Sequence, residues 1–402
     1  MGRTESTMLA QLNYHEAIAE WLDRNERGVW DWFSAVKLQE EQNEETLDLL
    51  LKQTYRLSRE THGKAFECCE TAMAKLGIEA PVTLYQAGDG AMNAALFFIP
   101  GEIHIVLYGP VLEKLSEIEL TALFGHEISH YLLWTLNDRR YRIAQQIIDD
   151  SVQQSAGEYA LYETARLYLL ATEVFADRGA AIASGSAEAA IAVLLKVMTG
   201  LSATDPKAFL EQAAELDAKG DIAKNASHPE TYMRALFIDR WYRERESAGE
   251  TIDEWVIERL KGPMAIGSLD LLDQNRLTVV TRQLFALLLH DTDLASAMVV
   301  TQVKQFFPDW EGEKELRLDP KSLESLAQDR SIRDYIIALI VDLAHADPDQ
   351  TEEMLVRGGK FASSIGWEDD FRDNLKSLLK MRKPQVDRIM RASDKIAWEV
   401  GR

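Results

Sequence analysis

The segment Gly125-His126-Glu127-Ile128-Ser129-His130 holds the residue types and spacing that could do chemistry. Two histidines four positions apart on a helix stand one turn above the other on one face, so both imidazoles can reach a single metal ion. The carboxylate that follows the first histidine would then lie beside the ion's open position, where it can take a proton from water. A zinc site of this kind needs a third protein ligand. A longer motif with glycine and histidine at positions 133 and 136 is excluded, because both positions are leucine. Asp149 lies on a polar helix face beside Asp150, as a solvated residue would. Glu173 is the better ligand: it interrupts an apolar helix (Leu167, Leu169, Leu170, Val174, Phe175), and Asp177 follows one turn later on the same face. Burying two carboxylates together is costly unless a cation offsets them. Zinc would supply that charge, with Glu173 as ligand and Asp177 as the acceptor that orients a ligating imidazole.

A third element is Ser227-His228-Pro229, with Arg234 beyond it. Pro229 suits the first turn of a helix and leaves His228 in the preceding loop. Arg234 then falls where it could support charge on a substrate or transition state.

These residues need rigid carriers, and the hydrophobic spacing supplies helices. Residues 8–36 and 45–77 read as two amphipathic helices, with the Trp21, Trp30, Trp32 and Phe33 cluster as core. Residues 81–109 break that pattern. Val82–Tyr85, Ala95–Ile99 and Ile103–Tyr108 are rich in β-branched and aromatic residues, and Pro100-Gly101 supplies a tight turn between the last two. A small, mainly antiparallel sheet is expected. Ser116 with Glu119 is a capping-box signature, and helices follow over 117–136, 139–155 and 158–184. Two shorter ones fit 187–219, and another fits 230–246. Gly249 and Gly262-Pro263 bracket the expected boundary. Residues 268–402 read as helical, with breaks at Asp291, Pro308, Pro320, Pro348 and Gly366. The fold class is α+β, mainly α with a small antiparallel-rich sheet. It divides into a helical arm (1–64), a core (65–248) and an all-helical C-terminal domain (268–402).

The chain has 402 residues, 44 basic and 66 acidic, for a net charge of −22. Such an anion repels nucleic acid. The basic clusters Arg139, Arg140, Arg142 and Lys380, Arg382, Lys383 are too short to reverse this and read as solvated surface. The two cysteines, Cys68 and Cys69, are adjacent, so neither a structural disulfide nor a cysteine-based zinc cage is expected. That fits a reducing compartment. The longest apolar runs fall short of the ~18 residues a membrane span needs, and the first 25 residues lack a signal peptide's apolar core. A cytoplasmic protein without a membrane span is the expectation. Gly88 and Gly90 lack the third glycine of a dinucleotide fingerprint, and neither a phosphate-binding loop nor a Gly-x-Ser-x-Gly elbow is present. His15, His62, His104, His290 and His345 read as structural.

In combination, His126-Glu-x-x-His130, Glu173-x-x-x-Asp177 and His228-Pro with Arg234 resemble the M48 zinc metallopeptidases. These are the gluzincins that include a heat-shock membrane protease and the CAAX prenyl protease. The stretch upstream is similar too: a strand, Asn93-Ala94, a strand ending at Gly109, then Glu119 leading into the zinc helix. The resemblance runs from about 65 to 245 and implies a zincin-type peptidase core. It implies that His126, His130 and Glu173 bind one zinc ion and that Glu127 is the catalytic base. It further implies that Asp177 supports a ligand and that His228 and Arg234 line the active site. The segment from Asn93 and Ala94 would be the edge strand along which a peptide or unfolded protein substrate lies extended.

Two departures accompany the resemblance: family members often carry membrane helices, and the tail of this chain lies outside the peptidase pattern. Within that tail, Tyr335–Leu379 resembles the TerB-like helical domain, except that the expected Asp-Gly step reads Asp347-Pro348. The tail could serve a protein partner. The alternative to an active peptidase is a zinc-stabilised scaffold, or a latent enzyme in which His228 fills the open metal position. Retention of Glu127 speaks against a scaffold, which needs the ligands but not the base.

Overall fold

In the computed structural model, residues 9–88, 90–154, 159–290, 293–312, 318, 323 and 326–396 are described. The expected breaks at Asp291 and Pro320 lie outside these residues. The chain divides into two compact units, Met1–Gly262 and Pro263–Arg402.

The first unit opens with helices α1 (Asn13–Asn25), α2 (Arg27–Phe33) and α3 (Val36–Gln53), then strand β1 (Tyr55–Arg56) and helix α4 (Arg59–Leu76). The two long helices expected here are thus divided. Ser58 caps α4 by accepting from the Thr61 N–H, while Tyr55 and Arg56 turn extended to pair with Gln86 and Tyr85. Trp30 and Phe33 are buried as expected, but Trp32 is exposed.

Strands β2 (Val82–Gln86), β3 (Asn93–Ile99) and β4 (Glu102–Tyr108) complete a four-stranded sheet in the order β1-β2-β4-β3. The Pro100-Gly101 turn forms, pairing Ile99 with Glu102, and Gly101 takes the positive φ of 87° that the turn requires. The sheet is mixed rather than mainly antiparallel, because the turn folds β4 back between β3 and β2, where it runs parallel to β2. One face packs on a core of Phe66, Cys69, Ile103, Ile105, Leu123 and Ile128. Strand β3 is left as an edge.

After the short α5 (Val111–Lys114) come α6 (Glu117–Gln154), α7 (Tyr159–Ser184), α8 (Ala187–Thr199), α9 (Pro206–Asp217) and α10 (Thr231–Lys261). Glu119 accepts from the Ser116 N–H at 2.8 Å and pairs with buried Lys196 of α8, so the cap also ties two helices together. Helix α6 breaks at Leu136–Arg139, where three non-glycine residues, Asn137, Asp138 and Arg139, hold positive φ. That divides it where the sequence places a boundary. Helix α10 runs straight through Gly249. A mid-helix glycine costs only about 1 kcal/mol, and burial of Ile252, Val256 and Leu260 offsets it.

The N-terminal arm braces α7 from behind. His15 is fully buried, its Nε2 3.2 Å from Thr172 Oγ1 and its ring edge-on to Tyr168. Burial lowers its pKa to about 3, so the folded state holds it neutral while the unfolded chain protonates it near its ordinary 6.5. The sign follows: this contribution is fully present above pH 6.5 and is lost as pH falls towards 3. Urea titrations should therefore show stability dropping with acidity across that window by up to ~1.4 kcal/mol per pH unit from this residue. A His15→Gln variant, which cannot titrate, should show a shallower slope.

The second unit is all helical, as expected. It is built from Leu271–Leu289, Ala297–Phe306, Arg330–Ala346, Thr351–Ser364, Glu368–Leu378 and Lys383–Ser393 around a core containing Phe285, Ile340, Phe361 and Phe371.

Candidate metal centre

Helices α6 and α7 carry the chemistry-bearing residues, and glycine lets them approach closely. A methyl group at Gly125 would meet Ala183 Cβ at 2.4 Å, and one at Gly179 would meet Ser129 Oγ at 1.6 Å. No side chain fits at either crossing point, so the two backbones lie nearly in contact there. The carboxylates of Glu173 and Asp177 thereby reach the histidines of the neighbouring helix.

His126, His130 and Glu173 each offer one donor atom, and these atoms all lie within 4.8 Å of one another. The two Nε2 atoms are 3.3 Å apart, and the Glu173 oxygens stand 3.5 Å and 3.7 Å from them. Tetrahedral zinc with ligand bonds of about 2.0–2.2 Å places its donors roughly 3.3–3.6 Å apart. Glu173 Oε2 is buried and receives no hydrogen bond among the described residues. A carboxylate facing two imidazole nitrogens, with one oxygen that receives no hydrogen bond among the described residues, is the donor set of a cation site, and the residues fit zinc.

The electrostatics agree. Burial works to raise the Glu173 carboxyl, but Arg234, His126, His130 and His228 outweigh it and hold it below its ordinary value. Asp177 resists burial in the same way. Arg234 donates to both of its oxygens at 2.8 Å and 2.7 Å, His126 Nδ1 stands 3.1 Å away, and its pKa falls to about 2. Burial lowers His130 to about 4, which keeps it neutral, as a metal ligand must be. His126 is pulled down by burial but raised further by its bond to Asp177 and the charge of Glu173. With Nδ1 held by Asp177, Nε2 faces Glu173 and His130.

Glu127 is buried in the same cleft as these donors, and Oε2 accepts from the Leu96 N–H of β3 at 2.9 Å. Burial, with the charge of Glu173, outweighs the opposing charge of His126 and raises its pKa above the ordinary value. The cleft beside it has a volume of about 630 Å³. Asn93, Ala94 and Leu96 of the edge strand form one wall, and Leu123, Val193 and Val197 form an apolar one. His228 and Arg234 also line this cleft. His228 is half exposed in its loop, with Nε2 3.5 Å from Glu173 Oε2. Arg234 is nearly buried and committed to Asp177, with Nη2 also 3.3 Å from Glu173 Oε2.

Every residue expected at the site therefore gathers at one cleft. Asp149 does not join the donors; it acts electrostatically on Arg142 in the second half of α6. Sequence reasoning missed Gly179, the Leu96 N–H and Trp134, whose ring lies 5.6 Å from that of His130. Trp134 stands one turn after His130 on the same face, a spacing that could have marked it.

Residues 64–242 match the model of Peptidase family M48. The chain is 29% identical over 204 residues to the plastoglobule-localized metallopeptidase 48, chloroplastic, of Arabidopsis thaliana, covering 46% of this chain and 57% of that protein. The chain thus spans little more than half the length of this relative. No solved structure matches it significantly.

Proposed function

We propose that the chain is a zinc-dependent endopeptidase, a reading supported by the match of residues 64–242 to peptidase family M48. The observation that carries this reading is the convergence of two imidazole nitrogens and a carboxylate beside the buried carboxylate of Glu127. His126, His130 and Glu173 would hold one zinc ion. When bound, zinc would act as a Lewis acid that makes water acidic near pH 7 and polarises a carbonyl.

The chain's own residues do the rest. Glu127 takes the water's proton and returns it to the leaving amine, and its raised pKa suits both transfers. Asp177 fixes the His126 ring. Arg234 holds Asp177 and Glu173 in place, and its charge, with a hydrogen bond from His228, favours a developing oxyanion in the cleft. The edge of β3, beginning at Asn93 and Ala94, pairs with an extended peptide, for which an unfolded protein is the natural source.

A second reading is a latent site in which His228 supplies a fourth donor, supported by its 3.5 Å approach to Glu173. No helix among the described residues is long and apolar enough to cross a membrane. The unpaired, buried cysteines suit a reducing, cytoplasmic setting. The helical second unit is our candidate surface for a protein partner, and nucleic acid is disfavoured by the net charge of −22.

Cleavage of an unfolded protein should stop on chelation and return with one equivalent of zinc per chain, while His130→Ala should neither bind that equivalent nor cleave. Zinc-loaded protein that is silent until His228 is replaced by Ala would favour the latent reading. Cleavage unaffected by chelation would refute both.

A further inference from the structure

A second cavity, of about 490 Å³, lies beside Phe98 and Pro100 at the far end of the edge strand, walled by α3 and the second half of α6. Arg139 and Arg142 both line it. Their neighbour Arg140 turns away to pair with Glu16 and Asp23. Arg139 and Arg142, by contrast, reach ion-pair distance of no carboxylate among the described residues.

Arg142 is the better placed of the two. Its guanidinium sits 4.8 Å over the ring of Trp134 and 5.7 Å over that of Phe98. Burial lowers its pKa, and the charge of Asp149, whose own pKa burial raises, only partly compensates. Glu45 is the acidic residue on the wall, and it is exposed. A chain of net charge −22 therefore places two guanidinium groups in one hollow with no carboxylate within ion-pair distance among the described residues, Asp149 acting on Arg142 from further off. Arg139 is held there by a left-handed backbone, with φ of 65°.

The hollow adjoins the catalytic cleft. Trp134 lines that cleft, and its ring neighbours both Arg142 and His130. Leu96, bonded to Glu127, marks the reacting position on β3; Phe98 lies two residues further along the strand and Pro100 in the turn just beyond it. A strand advances ~3.4 Å per residue. A peptide pairing antiparallel to β3, the more stable ladder, runs from the Phe98 end towards Asn93. Its residues beside the hollow thus precede the scissile bond.

We propose that this hollow is a specificity subsite that takes an acidic side chain two or three residues N-terminal to the bond cleaved, through Arg142 and Arg139. The proposal rests on the peptidase reading for its register but not for its chemistry, since two guanidinium groups recognise a carboxylate whether or not the peptide is cut.

The test uses full-length chain carrying Glu127→Gln and fluorescent peptides that differ only in Glu, Gln or Lys at each position of a decamer, read by anisotropy. Glu should bind about tenfold more tightly than Gln at one position, and Lys weakest of all, with the preference shrinking as salt rises. The preference should vanish in Arg142→Met, which keeps the apolar stem against Trp134, and weaken in Arg139→Asn, which tolerates the left-handed backbone. Wild-type, zinc-loaded chain is assayed on the same peptides. Cleavage with no acidic preference in binding or rate would overturn the subsite and leave the peptidase reading intact. An acidic preference abolished by both substitutions, without cleavage, would sustain the subsite and sink the peptidase. An acidic preference C-terminal to the cut, or one untouched by either substitution, would overturn the proposal.

Discussion

Replacing Glu127 with glutamine should leave zinc bound at one equivalent and lower peptide turnover by ~10²–10⁴-fold. The expectation rests on how little else the change disturbs. Glu127 Oε2 accepts one hydrogen bond, from the Leu96 N–H at 2.9 Å, and a glutamine carbonyl accepts the same bond. The residue is almost wholly buried, and glutamine has nearly the same volume, so the cavity term that makes truncations costly does not arise. What disappears is basicity. The carboxylate is held above its ordinary pKa chiefly by burial, which makes it a stronger proton acceptor at neutral pH than a solvated glutamate, whereas the amide accepts no proton. Turnover should therefore fall while the Michaelis constant stays within a few fold, the mark of an interaction used only in the transition state. Loss of zinc from the variant would show that Glu127 supports the metal, and unchanged turnover would remove it from the mechanism.

Much of this site was legible because its signals are local or paired. His126 and His130 share a helical face by spacing alone, and Glu173 with Asp177 drew attention as carboxylates on an apolar helix. Pro100-Gly101 announced its own hairpin. The parallel pairing of β2 with β4 was not legible, because it depends on where the hairpin inserts, which no turn residue specifies. Strand β1 has two residues, Tyr55 and Arg56, too few for any periodicity. Gly249 read as a boundary because its helix cost is visible in the sequence, while the burial of Ile252, Val256 and Leu260 that outweighs it is a tertiary fact. Arg139 and Arg142 read as solvated surface for a related reason: a sequence counts charges but cannot say which lack a partner. The contact of Gly125 with α7 and of Gly179 with α6 was equally hidden, since glycine inside a helix has many causes and close helix crossing is only one.

Removing Asp177 should be costly even before any metal is considered. Its carboxylate is buried between Arg234, which holds it with two hydrogen bonds, and His126, at 3.1 Å. Asp177→Ala leaves the Arg234 guanidinium with the carboxylate of Glu173, 3.3 Å from Nη2, as its one ion-pair partner among the described residues. An incompletely paired buried charge of this kind typically costs ~3–5 kcal/mol, so urea unfolding of the metal-free variant should show a loss of that order. Zinc affinity should fall as well, by ~10–100-fold, since the His126 ring loses the partner that orients it. The pH dependence identifies the cause. The Asp177 pKa is about 2 in the folded chain, against an ordinary 3.8. Its contribution is present in full above pH 3.8 and disappears as pH falls through 2. Because Asp177 also raises His126 from its ordinary 6.5, the difference in stability between wild type and variant should be largest between pH 3.8 and 6.5, shrink as pH rises past 6.5, and narrow again in strong acid. Pairing Asp177→Leu with Arg234→Met should recover part of the Asp177→Ala cost, because no guanidinium is left under-paired, while Glu173 loses its main counter-charge. If metal-free Asp177→Ala were as stable as wild type, the network would serve the metal alone. A loss in the single variant that the double replacement relieves would instead show that the fold is built to hold this site before zinc arrives.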